Sequence, residues 1–389
     1  MKIEPEPECE LNYGDVVDGA RERHLMCHAG SVNDPAEEPS TMDKITTIGL
    51  DIAKNSFAVH GFDAQGRTVL RKELKRAQVE PFFARLEACR VGLEACASAH
   101  HWARQLKRLG HDARLIPAGR VKAFVPRQKN DAADAQAIAR AVREPEMRLV
   151  AVKTVESQAA LMLFKSRDLL IGQRTQLLNA LRGHFGEIGI VVPKGAHEVR
   201  TLVDKVMIAA KAQVLPEAMR AALRALVAAL FALGAEIAQL DKAIMKVHRG
   251  DETSRRLATV PGIGTLTATV LSATVSDPHS FSGGREFAAW VGLVPRQHST
   301  GGRARLGHIS KMGNRDLRRL LVVGAHAALY RMKSGKTRSP LAEWARKLLG
   351  KKPFKLVAVA LANKMARIAW AIMAKGMSYD CAHMVVKSA

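Results

Sequence analysis

The pattern of hydrophobic and polar positions divides the chain into an alternating part and a helical part. Between residues 44 and 150, short apolar runs rich in β-branched residues alternate with amphipathic stretches of helical period. The first three runs are separated only by turns, and helices and strands then alternate. This order predicts a mixed α/β sheet domain. The predicted strands are residues 45–51, 56–60, 68–74, 91–94 and 113–117, and the predicted helices are residues 79–89, 100–109 and 131–145.

After residue 150 the apolar period is that of an α-helix throughout. Residues 154–184 and 216–248 repeat large apolar side chains at helical spacing, which predicts a long antiparallel helical hairpin within residues 151–250. Shorter helical patterns follow in residues 251–389 and predict an all-α C-terminal domain. Its most apolar stretch, residues 356–374, is interrupted by Asn363, Lys364 and Arg367, which favours a core helix over a membrane span.

The net charge of the chain indicates what kind of partner it binds. The formal net charge is +23, which predicts a polyanionic partner, either nucleic acid or an anionic membrane surface. Residues 1–43 are the exception, with eleven acidic against three basic residues, and they are predicted to be a disordered leader. Met42 is a second candidate translation start. The five cysteines contain no CxxC pair, and the N-terminus has no signal-peptide pattern, so a reducing cytosol is predicted.

Four carboxylates occupy positions that a metal site could use. Asp51 ends the first predicted strand and Glu94 ends the fourth, whereas Asp131 and Asp134 lie three residues apart at the start of a helix and share one face. If the two strands are neighbours, the four carboxylates converge at one edge of the sheet. Oxygen ligands of this kind suit one or two Mg²⁺ ions. Taken singly, each residue is also explained as a turn, capping or surface charge.

Two glycine-containing segments of the C-terminal part predict contacts with phosphate. Gly262 and Gly264 lie in a segment similar to the turn of a helix-hairpin-helix element, where backbone N–H groups reach a phosphate, although an ordinary helix joint also fits. Residues 290–305 form a polar, basic and glycine-rich loop. The further predicted nucleic-acid contacts are Arg296, Gly301, Gly302, Arg303, Arg305, Lys311, Arg315 and Arg318. For Ser299, composition favours phosphate contact over a nucleophilic role, which would need activation.

Taken together, these motifs resemble those of a known protein family. The chain resembles the DEDD transposases of the insertion-sequence 110 family, and especially its 1111 branch. The likeness runs from about Ile45 to about Tyr330. The matching motifs are Gly49–Lys54, Leu93–Cys96, Lys129–Ala135, Val260–Gly264, His298–Gly302 and Gly313–Arg315.

The resemblance implies an architecture and a site. It implies a RuvC-like, RNase H-like catalytic domain over residues 44–150, then the helical hairpin, then a helical transposase domain. It also implies that Asp51, Glu94, Asp131 and Asp134 hold Mg²⁺. A C-terminal serine of the family attacks DNA and leaves a covalent phosphoserine. That role falls on Ser299, with Thr300 beside it as the competing hydroxyl, because members often have two serines here.

The resemblance also implies partners. In this family a non-coding bridge RNA selects donor and target DNA, and members act as oligomers whose subunits share a site, here a homodimer or homotetramer. A bacterial cytoplasmic, nucleoid-associated protein without a membrane partner is expected. The predicted function is therefore transposition by Mg²⁺-dependent DNA cleavage and rejoining. The alternatives are a Holliday-junction endonuclease that uses water as nucleophile, and a non-enzymatic nucleic-acid-binding protein.

Overall fold

The computed structural model describes residues 44–125, 130–191, 195, 201, 204, 208, 215–335 and 339–380. The predicted acidic leader, residues 1–43, lies outside the described residues, as does Lys129 of the third acidic motif. The unit that follows is Asp43–Ala389.

A five-stranded mixed sheet forms the first part of this unit. Its strands lie in the order β3-β2-β1-β4-β5. β1 and β2, and likewise β2 and β3, pair antiparallel, whereas β4 joins β1 in parallel and β5 joins β4 in parallel. This arrangement confirms the predicted mixed sheet and the neighbouring positions of the first and fourth strands. The strands are β1 (Thr47–Ile52), β2 (Ser56–Phe62), β3 (Thr68–Lys75), β4 (Arg90–Glu94) and β5 (Asp112–Ile116).

Helices cover both faces of the sheet. The helices are α1 (Val79–Ala84), α2 (Ala99–Arg108), α3 (Ala118–Val121) and α4 (Asp131–Ala141). One core places Phe57 and Leu50 of the sheet against Phe83 of α1 and Trp102 of α2. A second core holds Ile138 of α4. The helix predicted over residues 79–89 ends earlier than expected, because the Cys89 carbonyl accepts a hydrogen bond from the Asp112 N–H and so begins the β4–β5 ladder.

Two glycines let α4 lie directly on the sheet. Gly49 of β1 and Gly92 of β4 are partners in the parallel register. A Cβ on Gly49 would lie 2.1 Å from the Ala135 carbonyl oxygen, and one on Gly92 would lie 2.8 Å from Cβ of Val142. Alternate residues of a strand face the same side. Asp51 and Glu94, each two residues further on, therefore face the side on which α4 packs.

Substituting Gly49 tests this close approach. In Gly49→Ala the new methyl group would meet helix backbone, which cannot rotate away, so α4 must shift. We expect the free energy of unfolding to fall by about 3 kcal/mol, the upper part of the range for overpacked cores, measured by urea denaturation. Gly172→Ala is the control, because a Cβ there meets nothing within 4 Å; it should stabilise by about 0.5–1 kcal/mol. Equal stability of the two variants would contradict the close packing.

A long helical pair follows the sheet domain. It consists of α5 (Val155–Glu187) and α6 (Glu217–Gly250). Their distal parts share a small core that includes Leu181 and Val227. Arg167 forms an ion pair with Asp241. Further along α5, Leu181 shares its core with Val227, which precedes Asp241 on α6. The two helices therefore run antiparallel.

The C-terminal part is helical apart from one short hairpin. Its elements are α7 (Glu252–Leu257), α8 (Thr265–Thr274), α9 (Gly284–Val291), β6 (Pro295–Gln297), β7 (Leu306–Ile309), α10 (Arg315–Lys333), α11 (Pro340–Leu349) and α12 (Phe354–Lys375). By length and composition α6 and α12 could cross a membrane. However, α12 lies within the hydrophobic core, where Leu361 and Met365 are fully buried. The predicted core helix is confirmed.

Candidate functional site

Three carboxylates meet where α4 begins. The side-chain oxygen of Asn130 accepts a hydrogen bond from the Ala133 N–H at 2.7 Å and so caps the helix. This cap places Asp131 and Asp134 in the first turn, where the helix dipole stabilises negative charge. One carboxylate oxygen from each of Asp51, Asp131 and Asp134 lies within 4.8 Å of the other two.

The electrostatics of Asp51 reflect this crowding. Burial raises the pKa of Asp51 above its ordinary value, and the negative charges of Asp134, Asp131 and, more weakly, Glu94 raise it further. The Ile52 N–H donates to the Asp51 carboxylate at 3.0 Å and opposes the pKa shift. The cluster in its ionised form is therefore repulsive without a cation.

Glu94 stands beside this cluster. Leu93 pairs with Leu50 in the parallel register, so Glu94 and Asp51 directly follow partnered residues. The carboxylate of Glu94 does not belong to the group within 4.8 Å, although its charge still acts on Asp51. Among the described residues, none of the four carboxylates forms an ion pair with Lys or Arg. An all-oxygen and unneutralised donor set, with Asp51 and Asp134 half-buried and Asp131 exposed, fits a hard divalent cation.

Ser299 lies in a β-hairpin, and the predicted irregular loop over residues 290–305 was wrong in this respect. Strands β6 and β7 pair antiparallel around a tight turn. The turn is possible because Gly301 and Gly302 adopt φ angles of 53° and 76°. Ser299 is thereby held two residues past the end of β6 on an exposed surface.

The hydroxyl of Ser299 accepts two hydrogen bonds. The donors are the Gln297 side-chain amide at 2.9 Å and the Arg305 backbone N–H at 3.2 Å. Two donors directed at one oxygen stabilise negative charge on it, as in an oxyanion site. These contacts stay within the hairpin, whose base belongs to a different hydrophobic core from the carboxylate cluster.

The base of the hairpin is held by backbone contacts that the sequence did not reveal. The Arg318 guanidinium donates to the carbonyls of Val291 and Met312 at 2.8 and 2.9 Å. Arg296 similarly donates to the Ser310 carbonyl at 3.3 Å. Both were predicted as nucleic-acid contacts, and both also support the fold. No pattern in the sequence signals this second role, since the acceptors are main-chain atoms.

The remaining predicted phosphate contacts fall into two groups. Gly262 has a φ angle of 97° and packs on α10, where its Cβ would lie 2.9 Å from the Gly324 carbonyl oxygen. Gly264 is exposed and is the N-cap residue of α8, and no side chain caps the first amides of that helix. The second group is exposed and has no ion pair in the described part of the chain; it comprises Arg303, Arg305, Lys311 and Arg315.

Comparisons with known proteins follow the same division of the chain. Residues 254–341 match the family described as "Transposase IS116/IS110/IS902 family", and residues 48–190 match a DEDD transposase family. A "Probable family 20 transposase" of Pseudomonas aeruginosa is 45% identical over 86% of this chain and 98% of its own length. The transposase for insertion sequence element IS1328 of Yersinia enterocolitica is 38% identical over 87% of this chain and 100% of its own length. The transposase for insertion sequence element IS1111A of Coxiella burnetii is 37% identical over 88% of this chain and 93% of its own length.

Proposed function

The chain belongs to the IS110 family of insertion-sequence transposases, and we propose that it cleaves and rejoins DNA through a covalent phosphoserine. In this proposal the carboxylates hold Mg²⁺ and a bridge RNA guides the reaction. The observation that carries the metal-dependent part is the group of three carboxylates within 4.8 Å. Repulsion among them and the raised pKa of Asp51 support a cation at this position.

The carboxylates would hold the metal. Asp51, Asp131 and Asp134 would be its ligands, with Glu94 beside them as the fourth. When bound, Mg²⁺ supplies positive charge to the phosphoryl oxygens and lowers the pKa of an attacking hydroxyl. The chain itself orients the ligands, because the Asn130 cap fixes the first turn of α4 and the paired glycines bring that turn onto β1.

Ser299 would perform the transfer. Its Oγ forms a bond to the phosphorus and gives up its proton, the bond from phosphorus to one neighbouring nucleotide oxygen breaks, and that oxygen is released as a hydroxyl. In rejoining, a hydroxyl of another DNA strand attacks the phosphoserine and restores the serine. The phosphodiester bond energy is retained, so no ATP is needed. The donors from Gln297 and Arg305 stabilise Oγ as its proton leaves.

One observation favours a second candidate, a Holliday-junction-type nuclease that uses water. In the described residues, the hydrogen bonds of Ser299 run within its own hairpin and none joins the four carboxylates. A homodimer or homotetramer in which one subunit supplies the carboxylates and another the serine removes this difficulty. In that assembly, donor and target DNA and the RNA would meet the basic C-terminal residues, in the cytoplasm and at the nucleoid.

Covalent trapping tests the proposal. The chain is co-expressed with its flanking non-coding DNA and incubated with labelled element-junction DNA, and the products are separated in SDS. We expect a DNA–protein adduct with Mg²⁺ and none with EDTA. Cut DNA without an adduct would establish the water-using nuclease, and binding with neither product would leave only a nucleic-acid-binding protein.

A further inference from the structure

A basic surface covers the outer side of α2 and the exposed cations at the end of β3 and directly after it. We define this α2 surface by Lys72, Arg76, His101, Arg104 and Arg108. Its two halves are in contact: the Arg76 guanidinium lies 5.3 Å from the centre of the Trp102 ring, and the Trp102 ring lies edge-on to that of His101 at 5.3 Å. The chain segment after β3 and the helix therefore form one continuous surface.

Positive charge on this surface is only partly compensated, since the nearby carboxylates that act on it are Glu80 and Glu156, which interacts with Arg104. Burial lowers the pKa of His101, and the charges of Arg104, Arg76 and Arg108 lower it further. One imidazole thus lies within the field of three arginines. The acidic residue that acts on His101 in the opposite sense is Glu80.

None of the cations of the α2 surface forms an ion pair with Asp or Glu in the described part of the chain. Elsewhere arginines are neutralised, as in the 2.8 Å pair of Arg114 with Asp112. Lys72, Arg76 and Arg108 are exposed, and Arg104 is half-buried because it donates to the Lys153 carbonyl at 2.6 Å. Unpaired arginines at such density are suited to bidentate phosphate contacts.

The direction of α2 relates this surface to the carboxylates. The helix begins five residues after Glu94, so its first turn lies at the sheet edge where Asp51 and Glu94 also lie, although α2 packs on the opposite face of the sheet. His101 is in that first turn, and Arg108 is the last residue of the helix. At a rise of about 1.5 Å per residue the two are roughly 10 Å apart along the axis. From that shared edge the surface thus extends over the length of about three nucleotides of a B-DNA strand.

We infer that the α2 surface binds the sugar–phosphate backbone of the DNA flanking the phosphate that lies at the carboxylate cluster. The position of that phosphate rests on the proposed function. The start of α2 and the carboxylate cluster share one edge of the sheet, which favours the cleaved DNA over a separate RNA. Arg76 is held over the Trp102 and Phe57 rings before DNA arrives, which reduces the ordering cost of its contact.

The test compares two pairs of neutralised cations. Arg76→Gln with Arg108→Gln removes two charges from the α2 surface and keeps much of each side-chain stem. Lys242→Gln with Lys246→Gln is the control, because both lysines are exposed on α6 and unpaired in the described residues. Affinity for junction DNA is measured without Mg²⁺ over a series of salt concentrations, and thermal melting verifies folding.

We expect the Arg76/Arg108 variant to bind DNA about tenfold or more weakly at low salt, since each counterion-releasing contact is lost. The slope of log affinity against log salt should fall by about 1.8, or about 0.9 for each phosphate. The lysine control should change neither. Trimming the DNA on one side of the cleavage position should abolish the difference from wild type.

Three results would overturn the inference: equal losses in both variants, no loss in the Arg76/Arg108 variant, or a loss confined to RNA. Since binding is measured without cleavage, failure of the phosphoserine mechanism has a different signature. In that case no adduct forms in the trapping experiment, while the affinity difference persists.

Discussion

Replacing Asp134 by asparagine should abolish Mg²⁺-dependent DNA cleavage and, without metal, stabilise the protein. Asp134 contributes one of the three close carboxylate oxygens and is the carboxylate with the strongest effect on Asp51. Its loss removes a charged ligand, so cleavage should fall by at least about 1,000-fold, equivalent to about 4 kcal/mol of transition-state stabilisation. Cleavage of junction DNA measures the first effect, and thermal melting in EDTA measures the second.

Metal binding and stability should change together in this variant. In wild type, millimolar Mg²⁺ should raise the melting temperature, because a ligand that binds only the folded state stabilises it. In Asp134→Asn this rise should be lost or strongly reduced. The exposed Glu236→Gln on α6 removes one negative charge far along the chain from the cluster and should retain both cleavage and the Mg²⁺ response.

The pH dependence of the metal-free protein follows from Asp51. Burial and then the neighbouring carboxylates raise the pKa of Asp51, so the folded state holds this proton more tightly than the unfolded chain. Stability linked to Asp51 is then present at low pH and is lost as pH rises from the ordinary aspartate range through the raised pKa. Asp134→Asn should reduce this loss. A melting temperature in EDTA that is unchanged, or lower than that of wild type, across this range would contradict repulsion within the cluster.

Much of the carboxylate site could be predicted because its information is local. The strand ends at Asp51 and Glu94 follow from short apolar runs, and the spacing of Asp131 and Asp134 follows from the helical period. The parallel pairing of β1 with β4 then brings these elements to one edge. What the sequence could not supply is distance. The structure brings three carboxylates within 4.8 Å and leaves Glu94 outside that group, which depends on side-chain conformation.

The serine region was harder to predict because its structure depends on main-chain contacts. The glycines at 301 and 302 indicated a loop, but the strands that flank it are short and exposed and carry no apolar alternation. Arg318 reaches carbonyls that any residue could present, so nothing distinguishes it in sequence from a DNA-binding arginine. The α2 surface likewise appears only once the segment that follows β3 packs against α2.

Ser299→Ala should eliminate the covalent DNA adduct, whereas Thr300→Val should retain it. The Ser299 hydroxyl accepts hydrogen bonds from the Gln297 amide and the Arg305 N–H, which favour its deprotonated form. Thr300 instead takes part in the turn through its carbonyl, which accepts from the Arg303 N–H at 3.0 Å, and its hydroxyl forms no hydrogen bond in the described structure. Easier deprotonation gives Ser299 more of the alkoxide form that attacks the phosphate.

Both variants keep the size of the exposed side chain close to that of wild type, so their stabilities should stay within about 0.5 kcal/mol of it. SDS-resistant adducts are counted with labelled junction DNA and Mg²⁺, and we expect a loss of at least about 1,000-fold in Ser299→Ala. An adduct that survives in Ser299→Ala and is lost in Thr300→Val would assign the nucleophile to Thr300. DNA cut to the wild-type extent by Ser299→Ala, with no adduct in any variant, would show that water attacks the phosphate and that the carboxylate cluster acts without the serine.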